Sequence, residues 1–156
     1  MQKAVLLFVA LGTGVGLLWP TGEAPAPARQ AAANGQPKET LLKRRWDGHF
    51  YVDGEVNGEL VNFMVDTGAF GVALPVETAR RLNIPFSESE FTIIGSGASG
   101  PVRGKVITLD RVSIEGKEVR RVEGAIAEGL DQPLLGQTYL SRLSSVEMSG
   151  DYMRLQ

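Results

Sequence analysis

The stretch Phe63-Met64-Val65-Asp66-Thr67-Gly68-Ala69 decides how this 156-residue chain is read. An aspartate directly follows an apolar run and precedes a turn of small residues. Val61, Phe63 and Val65 alternate on one face of a strand over residues 59–65. Asp66 therefore stands at a strand end, partly buried. The small residues after it leave room for another backbone to approach. Taken alone, Asp-Thr-Gly also reads as an ordinary Asx-type turn closing a strand.

Around this segment the chain has the texture of short strands punctuated by glycine turns. Upstream, residues 49–52 lead through Asp53-Gly54 and Glu55-Val56 to Asn57-Gly58, a strong hairpin signal because both residues tolerate positive φ. Downstream, residues 72–74 form a strand, and residues 76–82 form a short helical piece begun by Pro75. Residues 91–94 and 102–109 flank a glycine-rich tip, Gly95-Ser96-Gly97-Ala98-Ser99-Gly100. Residues 112–114 and 119–122 flank a second hairpin turn, and residues 124–127 form another strand. A short helix over 136–143 presents Tyr139, Leu140 and Leu143 on its apolar side. Residues 146–148 and 152–155 close the chain around Ser149-Gly150-Asp151. The pattern predicts a mostly-β domain, barrel or sandwich, with one or two short helices.

The first 46 residues differ. Residues 1–20 hold the apolar run 4–19 behind a lone charge, Lys3, and end at Trp19-Pro20. This reads as a transmembrane anchor, with a cleaved secretory signal as the alternative. Trp19 suits a membrane–water interface, and Lys3 favours an N-inside orientation. Residues 21–46, rich in Pro, Ala, Gly and Gln, read as a flexible linker. Residues 47–156 are then the folded domain, with Trp46 capping its start.

Composition narrows the chemistry. The chain is 43% hydrophobic and 22% charged, with 18 acidic and 16 basic residues and a net charge of −2. No strong field of one sign is available for nucleic acid. With no cysteine, thiolate metal sites and a Cys nucleophile are excluded. The single histidine, His49, has no serine nucleophile elbow beside it and reads as a polar strand residue. Residues 95–100 lack the Lys-Ser/Thr of a phosphate-binding loop and no helix follows them. Arg80-Arg81, Arg120-Arg121 and Lys43-Arg44-Arg45 read as solvated faces and a linker end. Carboxylates remain the best candidates for catalysis.

From about residue 48 to residue 155 the order of these features resembles the retropepsin-like aspartic proteases, and more narrowly their membrane-tethered bacterial group. In that family an Asp-Thr-Gly-Ala turn follows an apolar strand, as Asp66-Thr67-Gly68-Ala69 does here. A glycine-rich hairpin flap lies in mid-domain, and an apolar-apolar-Gly element precedes a short helix, as Leu134-Leu135-Gly136 does. Gly48-His49-Phe50 and Leu135-Gly136-Gln137-Thr138-Tyr139-Leu140 are similar to the bacterial group's pattern.

The resemblance implies a small closed, barrel-like β fold, a two-fold homodimer, a polypeptide substrate and neither metal nor cofactor. It implies a single-pass protein of a bacterial inner membrane with its domain on the periplasmic side, or a protein released there. Asp66, Thr67 and Gly68 would be the catalytic set. Asp66 would be the reacting carboxylate, and Thr67 would bond across the dimer. Gly68, Ala69, Phe70, Val72, Ile94, Gly95, Ser96 and Gly97 would contact substrate, the last three as the flap tip. Leu134-Leu135-Gly136 would pack behind the catalytic turn, and the chain ends would supply dimer strands. Phe70 departs from the small polar or acidic residue usual after the Ala.

Aspartic proteolysis needs two carboxylates sharing one proton. The chain has one Asp-Thr-Gly, so the second carboxylate would be Asp66 of another copy. A non-catalytic relative, keeping the fold as a dimerisation or peptide-binding module, is the alternative. The intact Asp-Thr-Gly-Ala argues for the enzyme, since a binder has no need of a paired acid. A structural β-domain, monomeric, is a third and weaker reading.

Overall fold

The computed structural model describes residues 38–97 and 100–156. The expected anchor, residues 1–20, lies outside the described residues, as do residues 21–37 of the expected linker. Among the described residues no helix is long and apolar enough to cross a membrane.

Among the described residues the domain has ten strands, two short α-helices and a 3-10 turn at Glu88–Glu90. The Asn-Gly hairpin forms as expected: β2 (Phe50–Val56) and β3 (Glu59–Val65) pair antiparallel from Phe50↔Val65 to Val56↔Glu59. Asn57 and Gly58 take φ of 54° and 95° at the turn. β2 runs straight through Asp53-Gly54, paired with Asn62 and Val61, and the Ile114 side chain fills the space where a Cβ on Gly54 would stand. β4 (Val72–Pro75) leads directly into α1 (Val76–Arg81).

β5 (Thr92–Gly97) and β6 (Gly100–Ile114) form the mid-domain hairpin, and β7 (Lys117–Ala127) returns along β6. The segments 102–109 and 112–114, expected as separate strands, are one strand. So are 119–122 and 124–127. Gly124 does not break β7; it lets β4 approach, since a Cβ there would lie 2.5 Å from the Val72 carbonyl oxygen.

β8 (Leu134–Leu135) and α2 (Gln137–Leu140) follow, then β9 (Val146–Ser149) and β10 (Tyr152–Leu155). The larger sheet runs β2-β3-β8-β4-β7-β6-β5, and β2 also pairs β6 at Glu55↔Ser113 and Val56↔Val112. The sheet thus folds back on its own first strand around Phe63, Leu74, Val112, Ile114, Leu135 and Tyr139, all at most 1% exposed.

A second sheet joins the two ends of the folded unit in the order β1-β10-β9, where β1 is Thr40–Lys43. β1 falls inside the segment 21–46 expected as linker. Its buried Thr40 and Leu42 alternate with exposed Leu41 and Lys43, and Leu42 joins the core beside Met153 and Leu155. Four residues carry too short a pattern to declare a strand, and the partner lies at the far end of the chain. Trp46, expected to cap the domain, is 97% exposed and caps nothing. That contact is replaced by the neighbouring arginines, which lie over Phe50 (Arg44) and Tyr51 (Arg45) at 4.5 and 4.3 Å from the ring centroids.

A buried polar knot holds β1 in place. Lys117, 3% exposed, donates from Nζ to Thr40 Oγ1 and the Lys38 carbonyl, while Thr40 Oγ1 donates to Glu115 Oε2 at 2.7 Å. Burial pushes the Lys117 ammonium below its ordinary value, and the Glu115 charge opposes that push. Thr40→Val keeps the shape and deletes both hydroxyl bonds. We expect it to lower stability by about 1–3 kcal/mol, read as a reduced midpoint in urea with unchanged slope.

Candidate active site

Asp66 begins the turn that leaves β3, and three sets of bonds determine its position. First, β3 and β8 pair in parallel, Met64↔Leu134 and Val65↔Leu135, and the Asp66 amide donates to the Leu135 carbonyl at 3.1 Å. Second, the turn closes on itself. The Gly68 amide donates to Asp66 Oδ1 at 2.9 Å and the Ala69 amide to the Asp66 carbonyl at 3.2 Å. Third, the start of α2 clasps the turn. The backbone amides of Gln137 and Thr138 donate to the carbonyls of Ala69 and Phe70, both at 3.0 Å, and Gln137 Nε2 donates to the Thr67 carbonyl at 2.8 Å.

Gly136 makes that clasp possible. Its φ of −103° is ordinary, but a Cβ would lie 2.3 Å from the Gly71 carbonyl oxygen and 2.7 Å from that of Ala69. The turn and the helix start are therefore in backbone-to-backbone contact. Thr138 Oγ1 adds a bond to the Glu123 carbonyl at 2.6 Å, tying β7 to the same point. Behind it, Tyr139 is fully buried and its hydroxyl donates to the Lys117 carbonyl at 2.7 Å. Burial raises its ionisation well above the usual phenol range, so it serves as a neutral peg.

The carboxylate is half-buried, while Thr67 and Gly68 are exposed. No hydrogen bond within the described residues involves the Thr67 hydroxyl. Asp66 and Thr67 open onto a cleft of about 230 Å³ shared with Arg44, His49, Met64, Met148 and Met153. His49 and Arg44, read from sequence as a plain strand residue and a linker end, both border this cleft. Arg44 is anchored there by the carbonyls of Gly48 and Gly150, at 2.8 and 3.1 Å.

A second cleft, about 240 Å³, lies on the other side of the turn. It brings together Ala69, Phe70 and Ile94 of the expected substrate-contacting set. Val72 borders it too, but at 1% exposure its side chain belongs to the core. Gly68 is not part of it, nor are Gly95, Ser96 and Gly97, which lie along the end of β5. Residues 98–99, between the two strands of the hairpin, lie outside the described residues. Gly71, Ala73, Val106, Glu123 and Ala125 also line this cleft and carried no signal in the sequence. Strand pairing assembles them, through Ala73↔Ala125, Val106↔Ala125 and Thr108↔Glu123. An aspartate held at a strand end between two clefts, one of them mostly apolar, can present a carboxylate to an extended ligand.

Residues 52–142 match the family described as "gag-polyprotein putative aspartyl protease". An uncharacterized protein encoded in the cobV 5′ region of Sinorhizobium sp is 31% identical over 169 aligned residues, covering 99% of this chain and 72% of that protein. An uncharacterized protein of Rickettsia prowazekii (strain Madrid E) is 35% identical over 75% of this chain, which spans about half (51%) of its length. The crystal structure of a retropepsin-like aspartic protease from Rickettsia conorii superposes with a TM-score of 0.63 at 34% identity, covering 76% of this chain and 89% of that one. The EIAV protease, solved with the inhibitor HBY-793, superposes at 0.54 with 17% identity, over 67% of this chain and 97% of that one, a likeness of fold alone.

Proposed function

The chain belongs to the retropepsin-like aspartic protease family, and from that premise we propose that it is an aspartic endopeptidase whose active centre forms from Asp66 of two copies. The observation that carries this reading is the Asp66 turn itself. It is held by β8, by its own bonds and by α2, while Asp66, half-buried, and Thr67, exposed, line a cleft. One chain offers one such turn, and the reaction requires two acids.

In the dyad, one carboxylate takes a proton from a water whose oxygen attacks the scissile carbonyl carbon. The other, protonated, donates to the carbonyl oxygen as it gains charge. The tetrahedral intermediate collapses as the first acid gives its proton to the amide nitrogen, a hydroxyl of the intermediate returns its proton to the second carboxylate, and the C–N bond breaks, so the two acids end as they began. Asp66, Thr67 and Gly68 form the reacting turn in this reading, and the Thr67 hydroxyls bridge the two copies. The β5–β6 hairpin, with Ile94, Gly95, Ser96 and Gly97, closes over the peptide and excludes water.

An unpaired strand edge supports the docking of a second copy. β9 forms one end of the terminal sheet and leaves its outer edge unpaired among the described residues, with Met148 54% exposed beside the Asp66 cleft. Residues 4–19 would hold both copies to the bacterial inner membrane, with the domains on its periplasmic side. Such tethering raises local concentration and favours pairing.

The test is the concentration dependence of cleavage of an unfolded protein by the chain from Lys38 onward. Activity per protomer should rise with protein concentration and then saturate, in step with dimer formation measured by sedimentation, and a transition-state-type aspartic protease inhibitor should abolish it. Activity per protomer that is constant while the protein is monomeric would overturn the shared dyad.

A further inference from the structure

Resting on the protease reading, we propose that Glu123 makes the cleft beside Phe70 a subsite selecting a lysine or arginine side chain of the substrate.

The cleft has a floor of small residues and a single charge. Ala73 and Ala125 are register partners on β4 and β7, and Val106 pairs with Ala125 on the next strand, so the three share one face. Gly71 and Ala69 open the end nearest Asp66. Apolar walls come from Phe70, Ile94 and Val106, with Phe70 77% and Val106 65% exposed. Glu123 lies two residues before Ala125 on β7, hence on the same face, and lines the same cleft. Among the described residues its carboxylate joins no ion pair. On β6 and β7, Arg103 pairs with Glu128, Lys105 with Glu90, and Arg111 and Arg120 with Glu118, while Arg121, two residues before Glu123, is exposed and joins no ion pair among the described residues.

An occupant must satisfy both parts of this lining. A purely apolar side chain would fill the space of about 240 Å³ and strip water from Glu123 without replacing it, which is unfavourable. An acidic side chain would meet like charge. A lysine or arginine lays its methylene stem along Phe70, Ile94 and Val106 and brings its cation to Glu123. The exposed Phe70 ring adds an aromatic surface against which a cation is attracted.

The test uses peptides that differ at one position, carrying lysine, arginine, norleucine or glutamate, placed in turn at each of three positions on either side of the scissile bond. Wild type should cleave the basic peptides with kcat/KM about five- to tenfold above norleucine at one of these positions, chiefly through KM. Glu123→Gln should erase that preference, bringing lysine, arginine and norleucine peptides to similar kcat/KM, and Glu123→Lys should turn it toward glutamate. Peptide affinity of the Asp66→Asn protein, with and without Glu123→Gln, reads the same preference without turnover. Failure of the protease reading would leave that affinity order intact. An unchanged basic preference in Glu123→Gln, or no preference by either readout, overturns the proposal.

Discussion

Under the proposed function, Asp66→Asn should abolish peptide cleavage, by about 10³-fold or more, and leave the fold and the dimer standing. The substitution is nearly isosteric, and the amide oxygen can still accept the Gly68 N–H that Oδ1 accepts at 2.9 Å. The amides of Gln137 and Thr138 continue to clasp Ala69 and Phe70, so the turn keeps its course. Stability should change by about 1 kcal/mol or less. In a dimer the variant removes both acids at once. No carboxylate is left to take a proton from water and none to donate to the carbonyl oxygen. Mixed with wild type, the variant should also suppress activity, because a mixed dimer holds only one carboxylate. The measurement is single-turnover cleavage beside thermal unfolding and sedimentation. Equal cleavage by the variant would remove Asp66 from the chemistry.

The second large effect is expected far from any reacting atom. Gly136→Ala adds one methyl group where the Gly71 and Ala69 carbonyl oxygens lie 2.3 and 2.7 Å from the new carbon. Both neighbours are backbone, so neither can swing aside as a flexible side chain would. Relief requires α2 to withdraw from the Asp66 turn and give up bonds from Gln137 and Thr138. We expect a loss of about 3–5 kcal/mol and a fall of at least about 10 °C in the unfolding midpoint. Any folded fraction should cleave poorly, because the turn carrying Asp66 has moved. Gly150→Ala is the contrast: nothing lies within 4 Å of its added carbon, and only its φ of 56° opposes the change. That variant should lose about 1–2 kcal/mol and keep its activity. Similar behaviour of the two would mean that close approach at Gly136 does not hold the turn.

These two residues mark how far the sequence alone could be read. Asp66 was legible because its signal is local: an alternating strand, an acid at its end and small residues after it all lie within one stretch. The Asn57-Gly58 hairpin was legible for the same reason, as was the glycine-rich hairpin between β5 and β6. The element Leu134-Leu135-Gly136 was recognised through family likeness, and its place behind the turn was implied. The reason Gly136 admits no other residue was not visible, since its neighbours Ala69 and Gly71 come from a distant part of the chain.

The apolar alternation, the turn residues and the single Asp-Thr-Gly determined a mostly-β domain with one candidate acid, because each depends on side chains adjacent in the chain. Tertiary structure alone decided that Thr40–Lys43 is a strand, that 102–114 is unbroken, and that Trp46 stays in solvent. It also decided which residues surround Asp66. Glu123 meets Phe70, Val106 and Ala73 only because β7 lies between β4 and β6. Such contacts arise from strand order and register, and these depend on how all the apolar faces are buried together.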